Sequence, residues 1–262
     1  MGSDDSTGAR RAPEHEAFGQ GAEADVALPN HGATAIRAAD PSLTEDLALS
    51  LLKRPDVSSG ELEQLAKNGN VLKNRKVKLA LVEHPKTPRH VSLPLVRQLY
   101  TFDLMQVALT PVVPADVKRA ADDVLCSKLE AISQGERLTL AHRGSGRIAE
   151  ALLSDGESRV MQSALQNSRL TESAIVRALA RPESNAAFVE AVCQHTQWSV
   201  RREVRIALLR NAKTPVARAL EFARTLPLAL VREILHSSRL QGNIKAHVLA
   251  EIENRGSGKS KS

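Results

Sequence analysis

Aromatic residues are nearly missing from this 262-residue chain: four Phe, one Trp and one Tyr make up 2% of it. Strands of β-sandwiches and barrels draw on aromatic and β-branched side chains, so the shortage argues against an all-β fold. No stretch comes near the roughly 20 consecutive apolar residues that span a bilayer, and no membrane segment is expected. The first thirty residues carry Asp4, Asp5, Glu14, Glu16, Glu23 and Asp25 and no apolar core, so no secretory leader is expected either. Met1-Gly2 followed by Ser6 fits the loose pattern for myristoylation, but in a polar tail so short a pattern reads as a chance match. The two cysteines, Cys126 and Cys193, stand far apart inside apolar patterns. They read as buried thiols in a reducing, cytoplasmic setting rather than as a disulfide framework.

What the chain does have is Ala, Leu, Val, Arg and Glu, with 42% hydrophobic and 25% charged residues. That balance belongs to a globular protein, and those residues, Val apart, favour helices. The expected class is all-α. Residues 1–41 read as a disordered acidic tail, in which seven acids against three bases leave −4, so the remainder carries +10 of the net +6. Residues 254–262 (Arg255-Gly-Ser-Gly-Lys-Ser-Lys-Ser262 at the end) read as a flexible basic tail, and 42–253 as the folded domain.

Within that domain apolar residues recur at helical spacing, as in Val117, Ala121, Val124, Leu125, Leu129 and Ile132. The stripes are short, and isolated helices of such length are marginal in water, so packing has to stabilise them. Ser42-Leu-Thr-Glu45, Ser58-Ser-Gly-Glu61 and Ser133-Gln-Gly-Glu136 each fit the capping box. Thr87-Pro88 and Thr214-Pro215 predict a threonine N-cap ahead of a proline in the first turn.

The pattern repeats. Ala80-Leu-Val-Glu-His-Pro-Lys-Thr-Pro88 and Ala207-Leu-Leu-Arg-Asn-Ala-Lys-Thr-Pro215 agree at Ala, Leu, Lys, Thr and Pro, and Ala164-Leu-Gln-Asn-Ser-Arg-Leu-Thr171 is a weaker copy. The leucines before each connection, at 51, 81, 109, 140 and 165, are separated by 30, 28, 31 and 25 residues, with 43 more to Leu208. Helix pairs at such periods indicate an α-solenoid, because one short pair cannot bury its apolar face and a stacked neighbour can. The phrase from Leu81 to Pro88, with its counterpart from Leu208 to Pro215, resembles the leucine-rich-repeat-variant and HEAT-like repeats of a bacterial domain-of-unknown-function family. The resemblance covers about 45–253. It implies a right-handed superhelix and no activity. Some variant-repeat proteins add a cysteine cluster for an iron–sulfur centre; two distant cysteines cannot supply four ligands.

Signatures of chemistry are few, and no catalytic residue, metal site or cofactor is expected. The eight histidines form no H-E-x-x-H, and His84 and His90 read as solvated loop residues. Arg143-Gly-Ser-Gly-Arg147 is no nucleophile elbow, since it lacks the G-x-S-x-G spacing and a preceding strand. Gly258-Lys259-Ser260 fails as a phosphate loop because Glu253 occupies the earlier glycine position. Gly144-Ser-Gly146 reads as an ordinary helix-start loop rather than an anion cradle. Asp122-Asp123 point to different faces and read as solvating their helix.

Basic residues thicken the C-terminal half: Arg201, Arg202, Arg205, Arg210, Lys213, Arg218, Arg224, Arg232, Arg239 and Lys245. Solenoid curvature can gather such residues into one groove that attracts phosphates or an acidic protein. The alternative is a solvated surface, since acids interleave and aromatics for base stacking are missing. Candidate partner or phosphate contacts are Arg201, Arg202, Arg205, Lys213 and Arg218, with Trp198 as a candidate anchor or, alternatively, a half-buried residue at a helix start. The expected function is a non-catalytic protein-interaction scaffold. Nucleic-acid binding through phosphate contacts, extending to HEAT-like glycosylase chemistry on a damaged base, is the alternative.

Overall fold

The computed structural model describes residues 42–258 together with Ala38 and Asp40. Among them are sixteen helices and no strand, so the protein is all-α. The first block holds α1 (Glu45–Leu52), α2 (Ser59–Lys67), the single turn α3 (Gly69–Leu72), α4 (Arg75–Glu83), α5 (Arg89–Val96) and α6 (Thr101–Leu109). The middle block holds α7 (Ala115–Lys128), α8 (Gln134–Arg143), α9 (Gly146–Leu152), α10 (Ser158–Leu165) and α11 (Glu172–Ala180). The last holds α12 (Ala186–Gln194), α13 (Arg202–Arg210), α14 (Val216–Ala223), α15 (Leu228–Ser237) and α16 (Gly242–Gly258). No helix among the described residues is long and apolar enough to cross a membrane.

Local chemistry explains most boundaries. The capping boxes at Ser58 and Ser133 form: each serine Oγ accepts from the N3 amide at 3.3 Å, and Glu61 and Glu136 accept from the serine N–H at 2.8 and 3.0 Å. The third expected box does not form. Ser42 turns back to Asp40, Thr44 becomes the N-cap of α1, and Glu45 is drawn away to Asn74 and Lys76. Prolines 88, 114, 215 and 227 precede α5, α7, α14 and α15 with φ between −59° and −61°, the value their rings impose.

The threonines before two of those prolines do something else than expected. Thr87 Oγ1 donates to the Leu81 carbonyl at 2.6 Å, and Thr214 Oγ1 to the Leu208 carbonyl at 2.5 Å. Both hydroxyls are buried and close the end of the preceding helix, whose last carbonyls lack helical partners, instead of opening the next one.

The strong packings all join helices at most three apart in chain order. Helices α5, α7, α9, α11, α13 and α15 pack in succession, each on the next but one. On the other side α4 packs on α6, α8 on α10, α10 on α12, and α14 on α16. A continuous apolar core runs between the two rows from Ala48 to Val248. Polar side chains also tie together segments 26 to 33 residues apart in the chain. Examples are Asn167 to the Ala141 carbonyl (26), Arg75 to Asp103 (28) and the Trp198 Nε1–H to the Leu165 carbonyl (33).

The folded unit reaches back past residue 42: Ala38 is buried, and the Asp40 carbonyl accepts from Asn68 at 2.8 Å. At the other end α16 continues through 254–258, beyond the boundary expected at 253. Apart from Ala38 and Asp40, the stretch read as an acidic tail lies outside the described residues, as do 259–262 of the basic one.

Candidate functional site

Trp198 sits in the turn between α12 and α13, 3% exposed, with its indole N–H spent on the Leu165 carbonyl at 2.9 Å. It is a core residue joining two segments 33 residues apart, and it projects toward nothing outside. The five basic candidates do not share one environment. Arg205 Nε donates to the Ser199 carbonyl at 2.7 Å, and its guanidinium lies 5.7 Å from the Phe222 ring centroid. Lys213 Nζ donates to the Ser184 carbonyl at 2.6 Å. Arg218 pairs with Glu221 at 2.7 Å. Only Arg201 and Arg202 are exposed without a side-chain partner among the described residues.

The other groups weighed from sequence are occupied by the fold. Asp122 is buried and accepts from Ser145 Oγ at 2.7 Å; burial pushes its carboxyl above the usual range, and it does not solvate its helix as expected. Asp123 pairs with Arg147. A Cβ on Gly146 would overlap the Arg169 carbonyl oxygen, so the glycine of this helix-start loop serves close backbone packing. His84 Nδ1 accepts from the Lys86 amide at 3.2 Å, and His90 Nε2 lies 3.8 Å from Glu63. Burial raises both thiols, that of Cys193 up to about 12, so neither is a ready nucleophile at neutral pH. Among the described residues no three of His, Cys, Asp and Glu gather as a metal site.

One concavity lies between α11, α13 and the end of α15, with a volume of about 220 Å³. Val176, Ala180, Ile206 and Ala207 form its apolar floor. Glu203, Ile206, Ala207 and Arg210 stand at i, i+3, i+4 and i+7 of α13, one stripe of a helix facing the cavity. Arg210 closes that stripe, and Arg239 comes in from the turn after α15, its backbone N–H bonded to the Arg210 carbonyl at 3.0 Å. No family model, curated protein or solved structure matches this chain. The site is therefore read from its own chemistry.

That chemistry is an apolar floor under two guanidinia. Arg239 Nη1 reaches only the Ala180 carbonyl, at 3.4 Å, and the Arg210 side chain has no partner among the described residues. Their neighbours differ: Arg177 and Arg181 both bind Glu150, Arg224 binds Glu251, and Arg232 binds Glu253. Asn211, at the back wall, is buried and fully used. Its Nδ2 donates to the Leu179 carbonyl (2.7 Å) and Ser184 Oγ (2.8 Å), while its Oδ1 accepts from the Lys213 amide (2.9 Å). Asn167, after α10, makes the same kind of bridge to Ala141, Gly144 and Arg169. Sequence reasoning counted Arg210 and Arg239 among the basic residues but did not single out the pocket or the asparagines. The helical stripe from Glu203 to Arg210 was the available signal.

Proposed function

We propose that this chain is an α-solenoid, a right-handed superhelix of the leucine-rich-repeat-variant and HEAT-like kind, that works as a non-catalytic protein-interaction scaffold. The supporting observation is the packing pattern: helices in two rows, each leaning strongly only on chain neighbours. An array built this way buries its apolar seam internally and leaves the outward side of each row open along its length, the kind of surface on which extended partners dock. The spent cations favour protein over nucleic acid as partner. Of the five basic candidates, Arg205, Lys213 and Arg218 already serve internal partners.

The test is chemical cross-linking of the full chain in native lysate, with quantitative mass spectrometry of what it retains. Reproducible partners that are lost on substituting outward residues of the α11–α13–α15 row support the scaffold; none across replicates overturns it. A labelled duplex or single strand shifted at about 50 mM salt and released by about 200 mM, as counterion release requires, transfers the assignment to nucleic acid.

A further inference from the structure

We infer that the pocket between α11, α13 and α15 seats an acidic peptide segment of a partner protein: one apolar side chain enters the pocket, and flanking carboxylates meet Arg210 and Arg239. This rests on the scaffold reading and adds the chemistry of the partner.

Three observations lead there. The first is size. A cavity of about 220 Å³ exceeds the roughly 150 Å³ that encloses a benzene-sized group, so it admits one branched or aromatic side chain and no folded element. The second is surface. Ile206 and Ala207 are each 9% exposed, Val176 is half-buried and Ala180 is exposed, so apolar area at the floor still faces water, and covering it is favourable.

The third is charge. Arg177, Arg181 and Arg232 on the same row have carboxylate partners within the fold, and Arg210 and Arg239 at the pocket do not. Ala180, Arg210 and Ser237 end their helices, so partial negative charge also gathers here. Much of it is already met: Asn211 serves the Leu179 carbonyl, and the Arg239 N–H and guanidinium serve Arg210 and Ala180. The Arg210 guanidinium is left over. Guanidinia recognise carboxylates in a planar, two-pronged geometry, and an arginine beside an apolar pocket is a common interface anchor. Glu203 at the far end of the stripe sets a direction, since it repels carboxylates there and steers the acidic side of the peptide to the Arg210 end.

The experiment uses the full chain and fluorescence anisotropy with a labelled short peptide carrying one leucine between aspartates and glutamates. Saturable binding is expected, weakened about three- to tenfold by Arg210→Gln and by Arg239→Gln, and unchanged by Arg97→Gln on the distant turn after α5. With the wild-type chain, replacing the peptide's leucine by glycine or its acids by lysine should abolish binding, so the idea stays testable even if an arginine variant misfolds. Trp198 emission reports whether each variant is folded. Absence of saturable binding, equal binding of the lysine peptide, or folded arginine variants that bind like wild type overturns the inference. If the peptide fails while cross-linked partners persist and are lost through substitutions elsewhere on the row, the pocket inference falls and the scaffold stands. If both fail, both fall.

Discussion

Asn211→Ala removes the side chain that fastens the turn after α13 to the end of α11. The Leu179 carbonyl lies in the last turn of α11, where no helical amide remains to reach it, and it takes its bond from Asn211 Nδ2 at 2.7 Å. Leu179 is 1% exposed, so losing that donor strands a buried acceptor, at about 1–3 kcal/mol. The bonds to Ser184 and Lys213 contribute about 0.5–1.5 kcal/mol each, and water recovers part of this because Lys213 is exposed. The sum is about 2–4 kcal/mol, a large share of the roughly 5–15 kcal/mol that holds a domain together. Trp198 is the chain's one tryptophan and is buried just before α13, so its emission follows unfolding in urea. With a slope of about 2 kcal/mol per molar, the midpoint should drop by about 1–2 M. Because helices packed mainly on chain neighbours can open locally, hydrogen exchange supplies the local readout: the Lys213 amide, bonded to Asn211 Oδ1, should lose protection first. Asn167→Ala should cost a similar amount through Ala141, Gly144 and Arg169. A loss below about 0.5 kcal/mol with Lys213 protection intact would refute the idea that these asparagines fasten successive helices together.

Gly146→Ala should destabilise by about 1–3 kcal/mol in the same urea assay, because the added carbon meets the Arg169 backbone. Gly135→Ala, at an exposed position in the first turn of α8 with nothing within 4 Å of its Cβ position, should instead stabilise by about 0.5–1 kcal/mol. His84 and His195 each accept a backbone N–H at Nδ1. Burial, joined at His84 by the Lys86 charge, holds both pKa values below the ordinary 6.5. The unfolded chain thus takes up protons more readily, so their contribution is complete above about pH 7 and is lost as pH falls through the folded values. His84→Asn, which keeps an acceptor, should flatten that slope in urea titrations between about pH 7 and 5. Cys193, with its thiol pushed up to about 12, should resist an aromatic disulfide reagent at neutral pH in the folded protein and react promptly once the chain is unfolded.

The amino-acid sequence by itself determined the helical class and several helix starts. These depend on information that is local along the chain: the stripe Val117–Ala121–Leu125, the serine–glutamate pairs at Ser58 and Ser133, and prolines with their preset φ. Where a residue had two local options, tertiary structure chose. Thr87 and Thr214 could cap forward or backward, and the buried carbonyls of Leu81 and Leu208 drew them backward. Ser42 lost its glutamate once Asn74 and Lys76 came within reach of Glu45 from a later helix. Trp198 and Asp122 were buried against segments 33 and 23 residues away, a distance at which periodicity reports that a neighbour exists but not which atom it offers. The same limit separates Arg210 from Arg177. Both are arginines on an amphipathic helix, and only the packing of neighbouring helices put Glu150 beside one and an open apolar pocket beside the other.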